Sequence, residues 1–136
     1  MKLINLARVP PVVVDFSATA LDAIRAMVNH NVGAVAVAAE GKIRGIVSER
    51  DILRKVTYHN LPPDMTPIGE VMTKDVESVG EDASPEEALR IMLSHRIRHV
   101  PIVDEDGNVT GILSVLELLR GLHGELDSGK TRLASS

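Results

Sequence analysis

A phrase that occurs twice constrains this chain more than any other feature. Gly45-Ile46-Val47-Ser48 ends an apolar strand and runs into Glu49-Arg50-Asp51-Ile52-Leu53, and Gly111-Ile112-Leu113-Ser114 runs likewise into Val115-Leu116-Glu117-Leu118-Leu119. With a shift of about 65 residues the two halves align further: Ala23 with Ala88, Arg25 with Arg90, Met27 with Met92, His30 with His95, Gly41 with Gly107, and Arg54 with Arg120. That period is too long for a solenoid unit. Half of a 136-residue chain is too small to bury both faces of its own sheet, so the halves are expected to pack sheet to sheet with pseudo-twofold symmetry.

The periodicity within each half reads as β-α-β-β-α, an α+β fold. Pro10-Pro11 leads into a strand at Val12-Val13-Val14. Thr19 offers an N-cap with Asp22 three residues on, and Leu21, Ile24, Met27 and Val28 recur at helical spacing. Asn31 to Gly33 breaks that helix. Ala34 to Ala38 and Ile43 to Ser48 form a hairpin around Glu40-Gly41, and a helix runs from Glu49 to about Tyr58. In the second half a strand is expected at Val76 to Val79. A helix should start at Ser84-Pro85 with Leu89, Met92 and Leu93 on its apolar face. A hairpin of Val100 to Val103 and Val109 to Ser114 turns at Asp106-Gly107, and a last helix reaches about Leu122. The expected organisation is a first repeat over 1–59, a linker over 60–69 containing Pro62, Pro63 and Pro67, a second repeat over 70–123, and a polar tail over 124–136.

With one Phe, one Tyr and no Trp, the core must be aliphatic, and a bound base would lie between aliphatic groups. The net charge of −4 argues against a nucleic-acid surface, so any anion site must be local. The absence of cysteine excludes disulfides and sulfur-based metal sites. No run approaches a membrane span and the start lacks signal-peptide character, so a cytoplasmic protein is expected.

The repeated corner carries the chemistry. A strand entering a helix presents unpaired N–H groups where the helix dipole favours an anion such as phosphate. Ser48 can add a hydroxyl, and Asp51 can accept hydrogen bonds from a vicinal diol such as ribose. The same residues also fit a plain capping box, and Ser114 with Glu117 fits it better still, because glutamate reaches back more easily.

The repeat, the Gly-Ile-Val-Ser-x-x-Asp phrase and the strand Arg98-His99-Val100-Pro101-Ile102-Val103-Asp104 resemble the cystathionine-β-synthase (CBS) domain family, as a tandem pair or Bateman module. The likeness runs from about Val9 to Leu122, and Val71-Met72-Thr73 looks like the family's opening phrase. It implies a regulatory module without catalysis that binds an adenosine-containing ligand in a cleft between repeats. Ser48 and Asp51 map to the phosphate and ribose positions, with Ser114 and Glu117 as their second-repeat counterparts. Arg98 and His99, preceding Val100 and Pro101, map to the phosphate-facing basic residues, where the first repeat has Gly33 and Ala34. One good site is therefore expected from Ser48, Asp51, Arg98 and His99, with Arg50 as a further phosphate candidate. The mirror cleft, with Glu117, Gly33 and Ala34, is expected to be weak or empty for want of a cation. AMP is expected first, ATP or ADP next, and NAD or S-adenosylmethionine last because they need more room. No cofactor is implied. The expected partners are a second copy, as a homodimer, and an unidentified regulated enzyme or transporter, with no nucleic acid and no membrane.

Other signals lead elsewhere. Gly124 to Thr131 spells a phosphate-loop pattern, yet a helix precedes it where a strand is required, and a helix C-cap at Gly121 or Gly124 is the simpler reading. His95 and His99 have the spacing of a helical metal pair, but the helix should end between them. No triad is apparent. The competing function is a structural dimerisation module with empty clefts; a nucleotide hydrolase ranks third.

Overall fold

The computed structural model describes residues 2–127. Two three-stranded sheets carry the duplication: β1 (Val13–Asp15), β2 (Ala34–Ala39) and β3 (Lys42–Ser48) in the first, β4 (Val79–Gly80), β5 (His99–Val103) and β6 (Val109–Ser114) in the second. In each, the first strand pairs parallel to the second and the second antiparallel to the third. The helices are α1 (Ala20–His30), α2 (Glu49–Ile52), α3 (Pro85–His95) and α4 (Val115–Asp127). Thr19 and Asp22 close the expected capping box on α1, and Ser84 caps α3 with Pro85 in its first turn.

The two halves meet through matching contacts. The hairpin tips bridge at Lys42 and Asn108, where Ile43 N–H donates to the Gly107 carbonyl at 3.2 Å and Val109 N–H to that of Gly41 at 3.4 Å. Arg8 bridges Ile112 and Thr73 bridges Ile46, the same contact in each half. These bridges reveal what the residue pattern did not show. The turn Leu3–Asn5 and its neighbours Leu6 and Ala7 pack in the core of the second repeat with Val100, Ile102 and Leu113, while Ile68, Val71 and Met72 pack with Val35, Val37 and Val47 of the first. Each repeat's opening segment thus completes its twin's core. The 60–69 stretch is correspondingly not slack: Thr66 is buried, Ala20 N–H donates to its carbonyl at 2.8 Å, and Ile68 is fully buried.

Three local expectations need correction. The strand expected at Val76 to Val79 begins only at Val79, because Val76 N–H closes a tight turn onto the Lys74 carbonyl at 3.0 Å. Past Ile52 the second helix widens into a π-type turn over Leu53–Thr57, with Tyr58 N–H donating to Leu53 O at 2.9 Å and Leu61 N–H to Val56 O at 3.0 Å. Gly121 and Gly124 are not C-caps, because α4 continues through both to Asp127. At Gly121 the missing side chain makes room for Leu6, which a Cβ would strike. Gly124 to Asp127, where the phosphate-loop pattern and the expected polar tail begin, belong to α4, and the rest of both lies outside the described residues. No helix among the described residues is long and apolar enough to cross a membrane.

Candidate functional site

Each corner is built as a reciprocal helix cap. Ser48 N–H donates to Asp51 Oδ2 at 2.9 Å, the Ser48 hydroxyl donates to the same oxygen at 3.1 Å, and Asp51 N–H donates to Ser48 Oγ at 3.3 Å. At the mirror corner Ser114 N–H donates to Glu117 Oε1 at 2.9 Å and Glu117 N–H to Ser114 Oγ at 3.1 Å. The capping reading therefore holds at both. Asp51 does more, because its second oxygen accepts from the Thr73 hydroxyl at 3.2 Å and pairs with Lys55 Nζ at 3.2 Å. Lys55 in turn donates to the Val71 carbonyl at 2.9 Å. Asp51, 9% exposed, is thus tied by hydrogen bonds both to α2 and to the segment that opens the second repeat.

Two clefts flank the line where the repeats meet. The first, about 440 Å³, is lined by Ser48, Arg50, Asp51, Arg98 and His99, with Gly33, Arg54, Thr73 and Val76 completing much of its wall. The second, about 390 Å³, is lined by Gly33, Ala34, Ser114 and Glu117, and also by Arg98 and His99. Val100 and Pro101 line neither cleft, being fully buried in β5. The four residues expected to share one site do surround one cavity. The mirror cleft differs from expectation, for Arg8 and Arg120 join Arg98 in its wall. Arg120 was detectable as the repeat partner of Arg54. Arg8 was not, because only the exchange of opening segments carries it across.

His99 stands between the clefts. Burial holds its imidazole below the ordinary histidine pKa; the carboxylates of Glu117 and Glu49 work against that shift, and Arg98 adds to it. Gly33 makes the close packing there possible, since a Cβ would lie 2.8 Å from Glu49 Oε1 and 3.4 Å from the His99 ring. His95 and His99 fall on different elements, the last turn of α3 and the start of β5. A cavity with a helix N-terminus, a fixed carboxylate and facing cations suits a ligand that joins an anion to hydroxyl groups.

The CBS domain family model matches residues 4–58 and again 68–124. An uncharacterized 17.7 kDa protein of Acidianus ambivalens is 34% identical over 122 residues, covering 89% of this chain and 73% of that one. A CBS domain-containing protein of Arabidopsis thaliana is 35% identical over 105 residues, 77% of this chain, which spans only 19% of the plant protein's length. Among solved structures, a CBS domain protein from Pyrobaculum aerophilum complexed with AMP superposes with a TM-score of 0.84 at 28% identity, covering 94% of this chain and 99% of that one.

Proposed function

The chain belongs to the CBS domain family as a tandem pair, and from that premise we propose that it is a regulatory module, without catalysis of its own, that binds an adenine nucleotide between its repeats. AMP is the ligand assigned, ahead of ATP or ADP. The observation that carries the reading is that the first cleft gathers the α2 N-terminus with Ser48, the Asp51 carboxylate, the Arg98 guanidinium and the His99 ring around one cavity, groups suited to a phosphate joined to ribose hydroxyls. Its volume of about 440 Å³ lies within the range of small-molecule sites. The AMP complex of the Pyrobaculum aerophilum relative supports the choice of ligand.

A second reading, a structural dimerisation module with empty clefts, is favoured by one observation: both Asp51 oxygens already accept hydrogen bonds from the chain itself. Calorimetric titration separates the two. AMP should bind, and deoxyadenosine monophosphate lacking the 2′-hydroxyl should bind several-fold more weakly. No heat with any adenine nucleotide would leave the structural reading standing. Equal affinity for the two nucleotides would remove Asp51 from the ribose. Binding only the folded state, AMP should also raise the melting temperature, contributing about 2.7 kcal/mol at a hundred times its dissociation constant.

A further inference from the structure

The two clefts share one wall. Gly33, Glu49, Arg98 and His99 line both, whereas Asp51, Arg54 and Val76 line only the first and Arg8, Glu117 and Arg120 only the second. The backbone of that wall is pinned. Val115 N–H donates to the Arg98 carbonyl at 2.8 Å, His99 pairs in register with Ser114, and Glu49 N–H donates to the Gly33 carbonyl at 3.0 Å. What remains free to choose a side is the exposed Arg98 side chain and the proton and orientation of the half-buried His99 ring.

We propose that the clefts are antagonistic, with a phosphorylated ligand in either one drawing Arg98 and His99 to its own side and leaving the other cleft without those two phosphate-binding groups. The physical reason is geometric. One guanidinium offers its fork to one phosphate at a time, and one imidazole cannot donate from the same N–H into two cavities. The carboxylates around the wall sharpen the contest. Glu117 faces His99 from α4 and Glu49 faces it from α2, with Arg98 beside it just before β5, so drawing Arg98 away leaves these acidic groups less well screened against the phosphate of a second ligand. The mirror cleft keeps Arg8 and Arg120 when the first cleft fills, and loses only its share of Arg98 and His99.

This inference rests on nucleotide binding in the first cleft, and the experiment distinguishes the failure of each. Wild-type protein titrated with AMP should give one tight event and a second at least about tenfold weaker, within the usual range of coupling between sites. Asp51→Asn and Val76→Trp, confined to the first cleft, should abolish the tight event and tighten the remaining one about tenfold, because its competitor for Arg98 is gone. Two unrelated changes guard against one of them merely failing to fold, which a thermal melt reports. Arg98→Gln should weaken both events. Absence of AMP binding to the wild type would remove the proposed function and the coupling together. AMP binding to the wild type with a second event unchanged, or missing, in the folded first-cleft variants would remove the coupling alone.

Discussion

Asp51 anchors a helix and faces a cleft with the same carboxylate, and its two oxygens divide the roles. Oδ2 serves the Ser48 cap, while Oδ1 looks toward Thr73 and Lys55. Asp51→Glu should therefore leave folding within about 1 kcal/mol of wild type, because Glu117 shows that a glutamate closes the same box. The added methylene carries the other oxygen out of register with a diol. The loss of a charge-assisted hydrogen bond, on the order of 1.5–3 kcal/mol, should lower AMP affinity ten- to a hundredfold by calorimetry. Unchanged affinity would remove Asp51 from the site. His99 supports a prediction of another kind. Its pKa is lowered by burial, so the native state favours the neutral ring while the unfolded chain takes up a proton near pH 6.5. That contribution to stability is whole above about pH 6.5 and is lost as pH falls toward the lowered native value. Asp15, Asp22 and Asp104 are also lowered, by hydrogen bonds from Ser17, Thr19 and Asn108, but they act only in the carboxylate range. Between about pH 7 and about pH 5 the melting temperature should thus fall more for wild type than for His99→Gln; equal slopes would acquit the histidine. That Ser48, Asp51, Arg98 and His99 line one cavity was legible, the first two from the repeated corner and the last two from the resemblance of their strand to the family. That Arg98 and His99 reach both clefts was not legible, since a strand's place in sequence does not say what lies on either side of it.

Strands and helices came through the sequence where a physical signal was local. Thr19 and Ser84 mark helix starts by their caps, and Gly41 and Gly107 mark hairpin turns by their left-handed backbone, at φ +83° and +85°. Elements set by distant partners were misplaced. Val76 carries strand propensity but lines the first cleft, and Gly121 reads as a helix stop but admits Leu6 against α4. Gly45 and Gly111 test the same idea quantitatively, for each lets an opening segment lie against its strand. A Cβ on Gly45 would meet the Thr73 carbonyl and Met72 Sδ at 2.7 Å, whereas one on Gly111 would meet only the Ile4 and Ala7 side chains at 3.1 and 3.3 Å and Arg8 O at 3.5 Å. Backbone yields less readily than a side-chain tip, so Gly45→Ala should cost on the order of 1–3 kcal/mol in chemical denaturation and Gly111→Ala less. Because Thr73 bonds Asp51, the first change should also weaken AMP binding. A larger cost at Gly111 would mean that the two opening segments are not held as their contacts indicate.

Duplication shapes the outside of the molecule as well as its core. Val28 on α1 and Leu93 on α3 occupy matching places in the two repeats and are 72% and 70% exposed; Leu53 and Leu119 form a second such pair. A surface that repeats its apolar residues about a pseudo-twofold axis is suited to a second copy of itself, since a symmetric partner covers both members of each pair at once. The exchanged opening segments bear on this too. They tie the repeats into one body, so the apolar helix faces are presented in a fixed relation and the cost of ordering them is met on folding rather than on association. The expected outcome is a homodimer in analytical ultracentrifugation at micromolar concentration, burying at least about 1,200 Å² in total. The double change Val28→Glu and Leu93→Glu should give a monomer whose melting temperature without ligand falls only by the linkage to association. Its AMP affinity should persist, because neither residue lines a cleft. A wild-type monomer at that concentration, with and without AMP, would mean that the exposed pairs are surface residues and nothing more.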